Sequence, residues 1–188
     1  MAYEEPRYTV IEKTDNIEIR QYDPYVVAQT VIESDFEQAG NQAHRILAAY
    51  ISGENVSTES IEMTIPVSQE AIQPQSEKIE MTVPVNQEKV ENGRYLISFV
   101  MPERYTIETL PMPKDDRVKL AQVPAKKVAV IRYSGTWSRE NYGENESELL
   151  KYLEQNNHEI IGEPVWARYN PPFIPWFLRR NEIIVEIK

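Results

Sequence analysis

The chain has 188 residues with 30 acidic against 20 basic side chains and a formal net charge of −10, which argues against nucleic acid and against anionic membrane surfaces as partners. That length is enough to bury most of its apolar surface in one domain, expected to span 1–188. There is no cysteine, which excludes disulfides, thiolate-ligated haem, iron–sulfur clusters and cysteine nucleophiles. No apolar run reaches the length of a signal-peptide core or a membrane span, so a cytoplasmic protein without a membrane partner is expected.

From the N-terminus, residues 8–12 and 17–22 read as strands joined by a turn at Thr14-Asp15-Asn16, and residues 25–32 as a third strand. Ser34-Asp35-Phe36-Glu37 fits a capping box, with Ser34 as N-cap and Glu37 reaching back. The helix that follows carries Phe36, Ala39, Gly40, Ala43, Ile46, Leu47 and Tyr50 in one stripe and should stop near Gly53.

Next comes a doubled phrase. Residues 61–70 recur 18 positions later as residues 79–88, with only Ile65/Val83 and Ser68/Asn86 exchanged. Each copy sets Ile, Met, Ile or Val, and Val at every second position, the period of a half-buried strand. The proline at the sixth place cannot donate to a ladder, so each strand should end there or lie at an edge. Met63 and Met81 pack into the core on one reading; on the other they form an adaptable apolar wall for a flat ligand, a use that flexible, polarizable Met suits. Glu62 and Glu80, on the alternate face, should look to solvent.

Residues 95–101 have strong β propensity, 110–116 form a proline-punctuated connector, and 118–123 and 128–133 are strands around Pro124. Ser138 is placed to cap a second helix in which Tyr142, Leu149, Leu150 and Leu153 share a face, and 165–169 and 183–187 close the chain as strands. A shift of 102 lays Tyr25-Val26-Val27-Ala28 on Lys127-Val128-Ala129-Val130, and Leu47 and Tyr50 on Leu149 and Tyr152. The expected fold is α+β: two strand–helix–strand repeats, roughly 8–101 and 102–188, related by a pseudo-twofold axis. They would form a curved, mostly antiparallel sheet or distorted β-barrel with two packed helices.

Several of these segments carry a family resemblance. Met-Thr-x-Pro-Val in both copies, the run from Ile17 to Val27, Ser98-Phe99-Val100-Met101-Pro102, Ala167-Arg168-Tyr169-Asn170-Pro171-Pro172 and Arg179-Arg180-Asn181-Glu182 resemble the SOUL haem-binding protein family over nearly the whole chain. The resemblance implies a fold similar to the small-molecule domains of bacterial multidrug-sensing regulators, and a tetrapyrrole ligand, haem or porphyrin, held by a carrier or buffer. Some haem-ligating members have a histidine before the tyrosine of the second strand. Here that place is Gln21, a poor iron ligand, whereas members that hold tetrapyrroles by apolar contact need no ligand there.

A haem site needs an apolar slot, one or two axial donors and cations near the propionates. His44, at the border of the first helix's apolar stripe, is the best candidate axial donor to the iron; His158 reads better as a helix-end cation. Asn170-Pro171-Pro172-Phe173-Ile174-Pro175-Trp176-Phe177-Leu178 should be a loop, because three prolines forbid a strand or helix interior. Such an apolar loop either folds over the core or forms the lip of a ligand site, with Phe173, Trp176 and Phe177 as contacts beside Met63 or Met81. Arg179 and Arg180 offer guanidinium forks to propionates, or one of them clasps Glu182.

Two other classes stay open. On an enzyme of this fold, Glu182 beside the aromatic loop is the carboxylate to consider as base, although no phosphate loop, nucleophile elbow or zinc-binding helix motif is present. As an interaction module, the chain would use loop 171–178 to dock a protein partner.

Overall fold

Strict alternation of side chains decides which residues of each strand meet the helices. The computed structural model describes residues 3–58 and 75–188. In chain order these form β1 (Tyr8–Thr14), β2 (Ile17–Tyr22), β3 (Tyr25–Glu33), α1 (Phe36–Ile51), β4 (Asn55–Val56), β5 (Val85–Val90) and β6 (Arg94–Val100). There follow β7 (Met112–Pro113), β8 (Lys119–Val123), β9 (Lys126–Tyr133), α2 (Arg139–Gln155), β10 (Val165–Arg168) and β11 (Asn181–Glu186). Nine strands make one antiparallel sheet in the order β1-β2-β9-β11-β10-β5-β6-β3-β8, curled into a half-barrel, and β4 pairs with β7 alone. With both helices packed on it, this is the α+β fold expected.

One face of the sheet takes the helices. Ile17, Ile19, Ile97, Phe99, Ala129, Ile131, Trp166, Ile183 and Val185 join Phe36, Ala39, Ala43, Leu47, Leu149 and Leu153 in the main core. Each large aliphatic or aromatic side chain buried there contributes on the order of 1.5–3 kcal/mol. The alternate positions, Tyr22, Val128, Val130, Ala167, Tyr169 and Ile184, form a second cluster on the other face. Parity along β10 and β11 therefore sends Trp166 and Arg168 to the helix side and Tyr169 and Glu182 to the far side.

The first capping expectation is off by one residue. Asp35 is the N-cap of α1, its Oδ1 accepting from the Gln38 N–H at 2.8 Å, while Ser34 Oγ accepts from the Gln42 side chain. Packing selects this start, since Phe36 in the first turn stacks on Trp166 at 4.5 Å and 11°. Ser138 does cap α2, accepting from the Asn141 N–H. Within α2, Leu149 and Leu153 are buried and Tyr142 and Leu150 partly so.

The doubled phrase also needs correction. Its first copy, with Met63, lies outside the described residues. In the second copy the ladder begins after the proline, at Val85, and residues 79–83 pair with no strand among the described residues. Their N–H groups go elsewhere: Ile79 donates to the Ile51 carbonyl at the end of α1, and Val83 to the Glu4 carbonyl. The period of two is kept, but it serves a segment wedged between the helix end and the N-terminal residues. Glu80 is exposed and pairs with Arg104. Among the described residues no helix is long and apolar enough to cross a membrane.

Candidate ligand-binding site

A cleft of ≈ 450 Å³ opens between the middle of α1, residues 81–85, and the chain leaving β10. Its walls are mostly apolar: Met81, Val83, Val85, Trp137, Pro171 and Pro172, with Tyr3 at one edge. α1 contributes Gly40, Asn41, His44 and Arg45, one helix face turned toward the opening. This size and lining fall within the range of small-molecule sites.

Arg168 is the cation of the cleft. It ends β10 on the helix face, and its guanidinium lies 4.2 Å from the Trp166 ring centroid and 5.3 Å from that of Trp137. Its Nη2 donates to Gln87 Oε1 at 2.6 Å; Gln87 is in turn fixed by donating to the Phe36 carbonyl. Nε is shut from solvent and has no acceptor among the described residues. No carboxylate pairs with this arginine among the described residues. Burial pulls its pKa down to about 10, so it is still charged at neutral pH. The helix leaves room for it only because residue 40 is glycine: a Cβ there would sit 2.2 Å from Nη2.

His44 lines the same cleft, its ring 5.6 Å from Phe99. Partial burial, aided by the positive charge of Arg168, lowers its pKa below the usual 6.5, leaving a neutral imidazole with a free lone pair at pH 7. Of the residues named from sequence, His44 and Met81 meet here. Met81 is 38% exposed, on the wall rather than in the core.

The other candidates lie elsewhere. Glu182 is fully buried on the far face, at the centre of a closed network. Arg20 grips it with both terminal nitrogens at 2.9 and 3.0 Å, Arg180 Nε donates to it at 3.0 Å, and the Tyr169 hydroxyl at 2.7 Å. Arg20 also pairs with Glu18, and Arg180 with Glu5. Burial by itself would raise the Glu182 pKa, but the arginines and the tyrosine outweigh it and hold the carboxyl below its ordinary 4.5. The Tyr169 hydroxyl, buried against that carboxylate, is pushed well above the ordinary tyrosine value.

Arg179 is occupied as well. It donates to the carbonyls of Ile174 and Pro172, both at 2.8 Å, and lies 4.1 Å from the Trp137 centroid, so it staples the loop after β10. In that loop Phe173, Trp176 and Phe177 project to solvent, and only its first residues, Asn170, Pro171 and Pro172, border the cleft. Sequence reasoning did not single out Arg168, Gly40, Gln87 or Trp137 as site residues. The usable signal was parity: Trp166 and Arg168 are two apart on a strand whose Trp must be core. Among the described residues no group of His, Asp and Glu is arranged to hold a metal ion by itself.

No curated protein matches the sequence. Solved structures match its fold at low identity. The C-terminal domain of EcmrR superposes with a TM-score of 0.63 at 8% identity, covering 96% of this chain and 98% of that one. A hydrolase from Listeria innocua superposes at 0.59 with 10% identity, covering 95% and 94%. SAV2435 bound to tetraphenylphosphonium superposes at 0.50 with 9% identity, covering 92% and 93%. The model of the SOUL heme-binding protein family matches residues 3–186, and the chain belongs to that family.

Proposed function

We propose that this protein binds a tetrapyrrole, haem or porphyrin, in the cleft beside α1, as a carrier or buffer rather than as an enzyme. The observation that carries the reading is Arg168: a charged guanidinium with a buried, unsatisfied Nε, set in apolar walls and lacking a carboxylate partner among the described residues. A cation held this way is costly until an anion arrives. A flat ring with acid side arms answers both halves of the site. The macrocycle lies against Met81, Val83, Val85, Trp137 and the two prolines, and a propionate meets Arg168. Arg45, exposed at the rim, is placed for a second propionate. His44 is the candidate axial donor if iron is present, through its neutral imidazole.

The state of Glu182 supports binding over hydrolysis. A general base needs a pKa raised toward neutrality and a free lone pair aimed at substrate. Glu182 has its pKa lowered and its oxygens taken by two arginines and a tyrosine. The Listeria hydrolase shares the fold, and a fold hosts many chemistries.

The test is a Soret titration of the purified protein with hemin and with iron-free protoporphyrin. Saturable binding of both at micromolar or tighter, about −8 kcal/mol, is expected. Arg168→Met should weaken both compounds, and His44→Ala hemin alone. No saturable binding of either compound overturns the proposal.

A further inference from the structure

The loop between β10 and β11 presents an apolar knob that the cleft does not use. Phe173 is 82% exposed, Trp176 and Phe177 57% each, and Leu178 65%. Monomeric proteins seldom leave four large side chains together in water unless the surface has a use. The knob is also held in place. Pro171, Pro172 and Pro175 restrict its backbone, Ile174 N–H closes a turn onto the Pro171 carbonyl, a short 3₁₀ turn spans Trp176–Leu178, and Arg179 bonds two of its carbonyls. Little ordering entropy would be lost on docking.

The ground beside the knob indicates on what kind of surface. A shallow hollow of ≈ 380 Å³ is lined by Trp176 and Phe177, by Glu140 and Glu144 of α2, and by the polar turn between β9 and α2. The two rings meet edge to face, centroids 5.5 Å apart and planes at 86°. Neither glutamate has a hydrogen-bond or ion-pair partner among the described residues. The loop cation Arg179 is turned inward onto Trp137 and the loop carbonyls, and Arg139, next to Glu140 in sequence, lies over the Phe36 ring. Aromatic faces with adjacent carboxylates attract quaternary ammonium groups, and this acidic rim, on a chain of net charge −10, repels anionic lipid.

We propose that this face docks the protein on a neutral, choline-headed lipid surface. Phe173, Trp176, Phe177 and Leu178 enter the interfacial layer, where Trp and Phe side chains are at home. Trp176, Phe177, Glu140 and Glu144 receive the quaternary ammonium. The assignment does not depend on what the cleft holds.

The experiment sediments the full chain with phosphatidylcholine vesicles and, separately, with phosphatidylglycerol vesicles. Binding to the first is expected, at least about tenfold tighter than to the second. Tryptophan emission should shift to the blue on binding. That shift should vanish in Trp176→Phe, because Trp166 is buried and Trp137 partly so. Phe173→Ser with Phe177→Ser should cut vesicle binding about tenfold or more without moving the melting temperature, since both side chains are solvent-exposed. Glu140→Gln with Glu144→Gln should erase most of the preference for choline lipid. Absence of binding to phosphatidylcholine, or equal binding to both surfaces, overturns the proposal. So does a loop-dependent self-association without vesicle binding, which would make the knob a protein–protein surface.

Discussion

Two arginine sites on opposite faces of one sheet behave in opposite ways. Around Glu182, Arg20 and Arg180 are matched by three carboxylates, the Tyr169 hydroxyl donates to Glu182, and every charge has a partner. Around Arg168 the walls are Trp166, Trp137 and an apolar cleft, and among the described residues its one acceptor is a glutamine. Residue type does not separate them. A closed network needs nothing further and so belongs to the fold, whereas an open one stores an unmet interaction that a ligand can satisfy.

The largest effect should come from breaking the closed site. Glu182→Gln takes from the buried Arg20 and the partly buried Arg180 the carboxylate they share, and should cost about 3–5 kcal/mol in denaturant unfolding. Hemin affinity of the folded fraction should hardly change. Opening the cleft site has the reverse signature. Arg168→Met should leave stability within about 1 kcal/mol, because an apolar side chain of similar length suits the tryptophan walls. Binding of hemin and protoporphyrin should fall about tenfold to a hundredfold, the range of one charged hydrogen-bonded contact. An unchanged affinity would place the ligand elsewhere.

Acid distinguishes the two sites next. The folded pKa of Glu182 lies below its ordinary 4.5, so between those values the unfolded chain binds more protons. The stabilisation is full above the unfolded value and is lost as pH falls from 4.5 through the folded pKa. Melting temperature should drop across that window in the wild type, and less in Glu182→Gln. At the cleft, protonation of His44 competes with iron, so hemin affinity should fall as pH drops through a value under 6.5, while protoporphyrin affinity is spared that step.

The smallest effect is also the most pointed. Gly40→Ala in mid-helix should gain up to about 1 kcal/mol from helix propensity, offset by crowding of the new methyl group against Arg168, for a small net change in stability. The same methyl group, 2.2 Å from the present place of Arg168 Nη2, must push the guanidinium aside and weaken porphyrin binding several-fold. Gains in both properties would show that the glycine does not serve the cleft.

Much of the fold was legible along the chain because alternation and helical stripes report burial directly. Strand Ile17–Tyr22 and the Ser138 cap of α2 fall where expected, and α1 ends before Gly53, whose φ of 121° favours glycine. The errors are places where packing overrode a local rule. Phe36 moved the start of α1 to follow Asp35, and residues 79–83 kept a strand's period while bonding to a helix end and to Glu4. Of the candidate site, His44 and Met81 were visible as a border histidine and an alternating methionine.

What the sequence by itself determined is the α+β class, the family and the inventory of candidate groups, since these rest on periodicity, composition and short motifs. Only the tertiary structure decided which arginine keeps an unfilled donor among the described residues. Arg168, Arg179 and Arg180 look alike in a line of letters. Their roles depend on strand parity, on a missing Cβ at Gly40 and on carboxylates from β2, β11 and the N-terminal segment. Charge pairing is a contact between residues as far as 175 apart, and no local pattern encodes it.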